Sequence, residues 1–242
     1  MIRIIPAIDI VSGHCVRLTK GDYGSVKQYD VDPFDMARRF EDCGVKRIHL
    51  VDLDGARLSA PANLKVLESI ATNSSLDIEW GGGIAGKEAL EAVFNAGAGH
   101  AIIGSIAALK PQLFADWLGQ YGGERIILGA DVKDGRIAVK GWMEQTALGI
   151  EKMVEDFLPC GLKEVICTDI SRDGMLQGPS VELYTGLQGN YPELSFTVSG
   201  GISSMEDIIR LDALGLKSVI VGKAIYENRI SLKDLELWSL KG

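Results

Sequence analysis

The chain has 242 residues, 46% hydrophobic and 24% charged, with a formal net charge of −8. That balance supplies apolar side chains for a sizeable core and speaks against disorder, while the negative charge and the lack of a basic stripe with interleaved aromatics speak against a nucleic-acid partner. No apolar run approaches the roughly 18 residues of a membrane span, and Met1 to Ile5 lead straight into a strand-like segment, so a cytoplasmic protein with no membrane partner is expected.

Short Val- and Ile-rich runs alternate with segments of helical period. A strand at 3–9 is followed by a helix at 33–43, opened by Asp32-Pro33, and then by a strand at 46–52. A helix at 61–72, a strand at 77–81, a helix at 86–96, a strand at 100–104 and a helix at 110–120 continue the pattern. After an ordinary loop at 119–124, the second half repeats it: strand 125–131, helix 148–158, strand 163–169, helix 180–188, strand 194–199, helix 204–214 and strand 218–222, with one more helix at the carboxyl end. Most helices begin near a Pro, Ser or Asp cap signal.

Such alternation fits an open doubly wound sheet as well as a closed barrel. An internal repeat decides between them. Shifting Ile78–Ala108 by 118 residues pairs Gly82-Gly83-Ile84 with Gly200-Gly201-Ile202, Glu88 with Glu206, Gly97 with Gly215, Ile102 with Ile220 and Gly104 with Gly222. A shift of 122 pairs Asp9-Ile10-x-x-Gly13 with Asp131-Val132-x-x-Gly135. Two copies of four βα units predict an α/β fold, a (β/α)8 TIM barrel with two-fold half-barrel symmetry, forming one domain over 1–242 with copies at about 1–122 and 123–242.

In this fold the loops after the seventh and eighth strands often hold phosphate on backbone amides, and glycine lets the backbone approach the oxygens. Those loops contain Gly200, Gly201, Gly222 and Lys223, and the repeat puts Gly82, Gly83, Gly104 and Ser105 at the corresponding places after strands three and four. A ring of eight strands is on the order of 15 Å across, so a ligand held on both sides is long, with a phosphate at each end. Asp9 and Asp131 end strands one and five between the two grips. Paired carboxyls there suit proton transfer, one taking a proton from carbon while the other gives one to a ring oxygen. Whichever is the acid needs a raised pKa or must be recharged during turnover, and the sequence does not say which.

Thr168 ends strand six and is either a hydrogen-bond donor to ligand or aspartate or simply a good strand former. Trp142, after strand five, either stacks on a planar ring or caps the core. His49 faces inward by parity with Ile166, as a satisfied interior histidine or a ligand contact. Cys15, Cys43, Cys160 and Cys167 make no Cys-x-x-Cys pair and the three histidines no cluster, so no disulfide, metal or cofactor is expected.

The motifs Ile5-Pro6-Ala7-Ile8-Asp9, Gly13-x-x-Val16-Arg17-Leu18, Lys20-Gly21-Asp22-Tyr23, Val51-Asp52-Leu53-Asp54-Gly55-Ala56, Gly81-Gly82-Gly83-Ile84, Lys140-Gly141-Trp142, Thr168-Asp169-Ile170-x-x-Asp173-Gly174 and Gly200-Gly201-Ile202-Ser203 carry a resemblance. From end to end the chain resembles the histidine-biosynthesis isomerases that act on phosphoribosylformimino-5-aminoimidazole carboxamide ribotide. The resemblance implies an Amadori rearrangement of an aminoaldose to an aminoketose on a small bis-phosphorylated substrate. Asp9 would then be proton acceptor, Asp131 proton donor, Thr168 a supporting donor, Trp142 a stacking surface and Arg17 a substrate contact on a mobile first loop. Members commonly have Arg after Gly-Gly-Gly-Ile/Val, where this chain has Ala85, which leaves a cation near the first grip missing or supplied elsewhere. A monomer is expected.

Three rivals remain. The sister cyclase of the pathway, the cyclase subunit of imidazole glycerol phosphate synthase, typically carries Cys before Leu-Asp in its first strand, where this chain has Pro6-Ala7-Ile8-Asp9. Phosphoribosylanthranilate isomerase activity needs the same chemistry on another aglycone. A non-catalytic binder of bis-phosphates has no use for the paired aspartates.

Overall fold

A computed structural model describes residues 1–19 and 22–241; Lys20 and Gly21 of the third motif lie outside the described residues. Eight parallel strands form its centre: β1 (Arg3–Val11), β4 (Arg47–Asp52), β5 (Asp77–Gly81), β6 (His100–Ile103), β7 (Ile126–Lys133), β10 (Glu164–Asp169), β11 (Ser195–Ser199) and β12 (Ser218–Val221). They pair in that order, and β10 also pairs with β7, β12 with β1, so the sheet closes on itself. A (β/α)8 barrel is therefore the fold. These strands read as near-continuous apolar runs because both faces are covered, one by the barrel interior and one by helices.

The helical layer follows the expected spacing, with α1 (Pro33–Asp42), α3 (Leu64–Asn73), α4 (Lys87–Asn95), α6 (Pro111–Tyr121), α7 (Ile150–Phe157), α8 (Val181–Asn190), α9 (Met205–Ala213) and α11 (Leu232–Ser239). Asp32 caps α1 by accepting from the amides of Phe34 and Asp35, and Ser204 and Ser231 open α9 and α11 with capping boxes. Phe40 is fully buried between α1 and the sheet, as Phe114 is beneath α6. The carboxyl-terminal helix returns to the first strand, where the Trp238 indole donates to the carbonyl of Ile2.

Two antiparallel hairpins were not foreseen: β2 (His14–Thr19) with β3 (Asp22–Gln28) after the first barrel strand, and β8 (Arg136–Val139) with β9 (Glu144–Gly149) after the fifth. They stand at equivalent places in the two halves. Arg17, expected on a loop, sits in β2, and Trp142 occupies the turn between β8 and β9. Three short helices also join the frame: α2 (Leu53–Leu58), α5 (Ser105–Leu109) and α10 (Lys223–Tyr226), the last two following the fourth and eighth barrel strands.

Candidate active site

A cavity of about 660 Å3 opens at the carboxyl ends of the barrel strands. Asp9, Asp131, Thr168, Arg17, His49 and Trp142 all line it, together with the glycine turns at 81–83 and 200–201 and with Gly104, Ser105, Gly222 and Lys223. In the closed order three strands lie between β5 and β11 in either direction, and likewise between β1 and β7. The glycine turns thus face each other across the barrel, and the two aspartates face each other on the perpendicular diameter.

The turns are built alike. Gly82 and Gly200 have φ of 107° and 97°, and a β-carbon there would stand 2.2 Å from the carbonyl oxygen of Asp52 and 2.7 Å from that of Asp169. Only glycine fits that backbone and that approach. Asp52 and Asp169 hold the neighbouring loops in place: Asp52 accepts from the amides of Gly55, Ala62 and Asn63, and Asp169 from the amide and hydroxyl of Ser171 and the hydroxyl of Ser180. An aromatic donor secures each turn, the Trp80 indole to the carbonyl of Gly82 at 3.1 Å and the Tyr184 hydroxyl to that of Ser199 at 2.5 Å. Beyond the turns, Ser105 accepts from the amide of Lys140 and Lys223 Nζ donates to the carbonyl of Gly174 at 2.8 Å.

The two aspartates occupy unlike surroundings. Asp9 forms an ion pair with Arg17 at 2.5 Å, and Arg17 also donates to the carbonyl of Ala7 and lies over the ring of Tyr226 at 4.9 Å. Burial opposes the charge of Arg17, but Asp9, Tyr226 and Asp173 together outweigh it, and the guanidinium is held above its ordinary pKa. Across the barrel no cation among the described residues forms an ion pair with Asp131; burial pushes its carboxyl up, opposed by hydrogen bonds from the Trp142 indole and the Thr168 hydroxyl. Thr168 stands beside Asp131 in the register between β10 and β7. Trp142 therefore offers its N–H to a carboxylate in addition to a ring face.

Asp173 was given no role from sequence, yet it lines the same cavity. The turn that carries it is folded onto Asp169, whose carbonyl accepts from the amides of Arg172 and Asp173. Burial and the neighbouring charge of Asp9 push its carboxyl up to about 7, with Arg17 acting in the opposite direction. The signal available in sequence was its place four residues after Asp169 in a glycine-terminated turn. Ala85 also lines the cavity, with Arg57 and Lys110 as cations in the same wall. Among the described residues no group of three or more His, Cys, Asp or Glu side chains could hold a metal ion, and no helix is long and apolar enough to cross a membrane.

Residues 3–231 match the family model described as histidine biosynthesis protein. The chain is 50% identical over 238 residues to a protein of Bacteroides thetaiotaomicron, covering 98% of this chain and 100% of that one. It is 49% identical to a protein of Parabacteroides distasonis and 48% identical to one of Cytophaga hutchinsonii, each over 97% of this chain and 98% of the relative. All three relatives are named 1-(5-phosphoribosyl)-5-((5-phosphoribosylamino)methylideneamino)imidazole-4-carboxamide isomerase.

Proposed function

The chain belongs to the histidine biosynthesis protein family, and from that membership we propose that it is an aldose-ketose isomerase performing the Amadori rearrangement of the bis-ribotide for which its relatives are named. The observation that carries the reading is the pair of matching glycine turns on opposite rims of one cavity, with Asp9 and Asp131 on the strands between them. A substrate with a phosphate at each end fits that spacing; a ligand with one phosphate leaves one turn unused.

On this reading Gly82, Gly83, Gly104 and Ser105 hold one phosphate and Gly200, Gly201, Gly222 and Lys223 the other, through backbone amides and one ammonium group. An acid protonates the ring oxygen of the aminoaldose and opens it to an imine. A base then takes the proton from the adjacent carbon, and the resulting enol returns to the aminoketose. Asp9 acts as the base, with Arg17 fixing its carboxylate and contacting substrate. The donor comes from the carboxyls whose hold on a proton burial strengthens. Asp131, steadied by Thr168, is the first of them, and the carboxyl of Asp173, at about 7, is a second donor suited to neutral pH. His49 and Trp142 contact the ligand between the phosphates. The protein acts as a cytoplasmic monomer of one barrel domain, built from copies at 1–122 and 123–242, on a small-molecule substrate without cofactor, nucleic acid or membrane.

Turnover of the bis-ribotide, phosphoribosylanthranilate and the cyclase substrate, measured side by side, tests the proposal. Rapid conversion of the first is expected. Turnover confined to the second or third overturns it.

A further inference from the structure

Beneath the cavity the two halves of the barrel differ in one layer. The register between β4 and β5 sets His49 beside Glu79, and the register between β10 and β11 sets Ile166 beside Thr197 in the same relation. Glu79 is fully buried and does not line the cavity, whereas His49 does. Oε1 of Glu79 stands 2.8 Å from Nδ1 of His49. Its other oxygen has no hydrogen-bond partner among the described residues and lies 3.7 Å from Arg47, which is itself engaged by Asp77 and Glu164 at 2.7 and 3.1 Å.

A carboxylate taken out of water is costly unless its partners compensate it, and here one oxygen is left with only a distant cation. The barrel itself does not require the arrangement: the same two inward positions in the second half hold an isoleucine and a threonine. What Glu79 does accomplish is local. A carboxylate only accepts, so Nδ1 of His49 carries the proton, the ring is fixed about its χ2 angle, and Nε2 is left for whatever fills the cavity. This is the arrangement by which a buried carboxylate orients a functional imidazole.

We propose that Glu79 is a positioning residue for the isomerisation, holding His49 so that its Nε2 makes a hydrogen bond to the substrate. The inference rests on the isomerase reading above and deepens it. It also gives the two ends of the substrate unlike floors, polar under the first half and apolar under the second.

The test is a double-mutant cycle on bis-ribotide turnover with Glu79→Thr, His49→Ile and the double variant, which carries the pair already tolerated in the second half. Each single change is expected to lower kcat/KM by about 10- to 100-fold, the range of a lost hydrogen bond to substrate, and the double to be no worse than His49→Ile. Glu79→Gln, whose amide oxygen still accepts from Nδ1, is expected to stay within about threefold of the wild type. Losses that multiply in the double variant, or a Glu79→Gln as impaired as Glu79→Thr, overturn the proposal. Should a variant fail to fold, 15N spectra of the histidine-labelled wild type decide: His49 must show a protonated Nδ1 and an Nε2 signal that moves when product is added, and an unmoved signal overturns the proposal. A wild type inactive on the bis-ribotide refutes the isomerase reading instead.

Discussion

Replacing Asp173 with asparagine separates its chemistry from its cost to the fold. Burial and the charge of Asp9 raise this carboxyl from an ordinary 3.8 to about 7. At about 1.4 kcal/mol per pKa unit, the preference of the folded state for the protonated form is on the order of 4 kcal/mol as an upper bound. The folded pKa lies above the unfolded one, so this stabilisation is complete below about pH 4 and is lost as the pH rises towards 7. At higher pH the fold carries a disfavoured charge. Asparagine has the same shape and no such loss. Urea titrations of the Asp173→Asn variant and the wild type are therefore expected to show a stability difference that shifts in favour of the variant between pH 5 and pH 8, with unchanged m values. If Asp173 also gives up a proton in catalysis, the wild-type kcat/KM falls above about pH 7, and the variant loses both that limb and about 10²- to 10⁴-fold in rate. Parallel stability curves from pH 5 to pH 8, together with an unaltered alkaline limb, refute the reasoning.

Four further changes probe other parts of the frame. Gly200→Ala meets the carbonyl of Asp169 at 2.7 Å with φ at 97° and should raise KM about tenfold or more. Gly215→Ala, at φ 80° with no atom within 4 Å, should cost about 1 to 2 kcal/mol of stability and leave KM unchanged; equal KM values in the two variants remove the second phosphate site from the argument. Trp80→Phe deletes the donor to the carbonyl of Gly82 and should weaken substrate binding by about 1 kcal/mol, read as a severalfold rise in KM at constant kcat. Phe40→Ala empties a fully buried site outside the cavity lining and should cost about 3 to 5 kcal/mol in urea titration with no change in KM.

The comparison of the halves explains what was legible in the chain. The eight barrel strands stand out because each is buried on both faces, which makes it a short apolar run between polar helices and turns. The glycine turns and the facing aspartates were legible because the repeat shows each of them twice. The hairpins after the first and fifth strands carry no such mark: β9 is exposed or half-buried along its length, so its side chains follow no apolar period.

Fold class and the placing of Asp9 and Asp131 on opposite strands were thus legible in the sequence alone, through the period of its apolar runs and a repeat of about half the chain. The ion pair of Arg17 with Asp9, the raised carboxyls of Asp131 and Asp173 and the seat of His49 on Glu79 were decided by the tertiary structure. Each depends on charge, burial and donor geometry over a few ångströms between segments brought together only when the strands close into a ring, and spacing along the chain does not encode those distances.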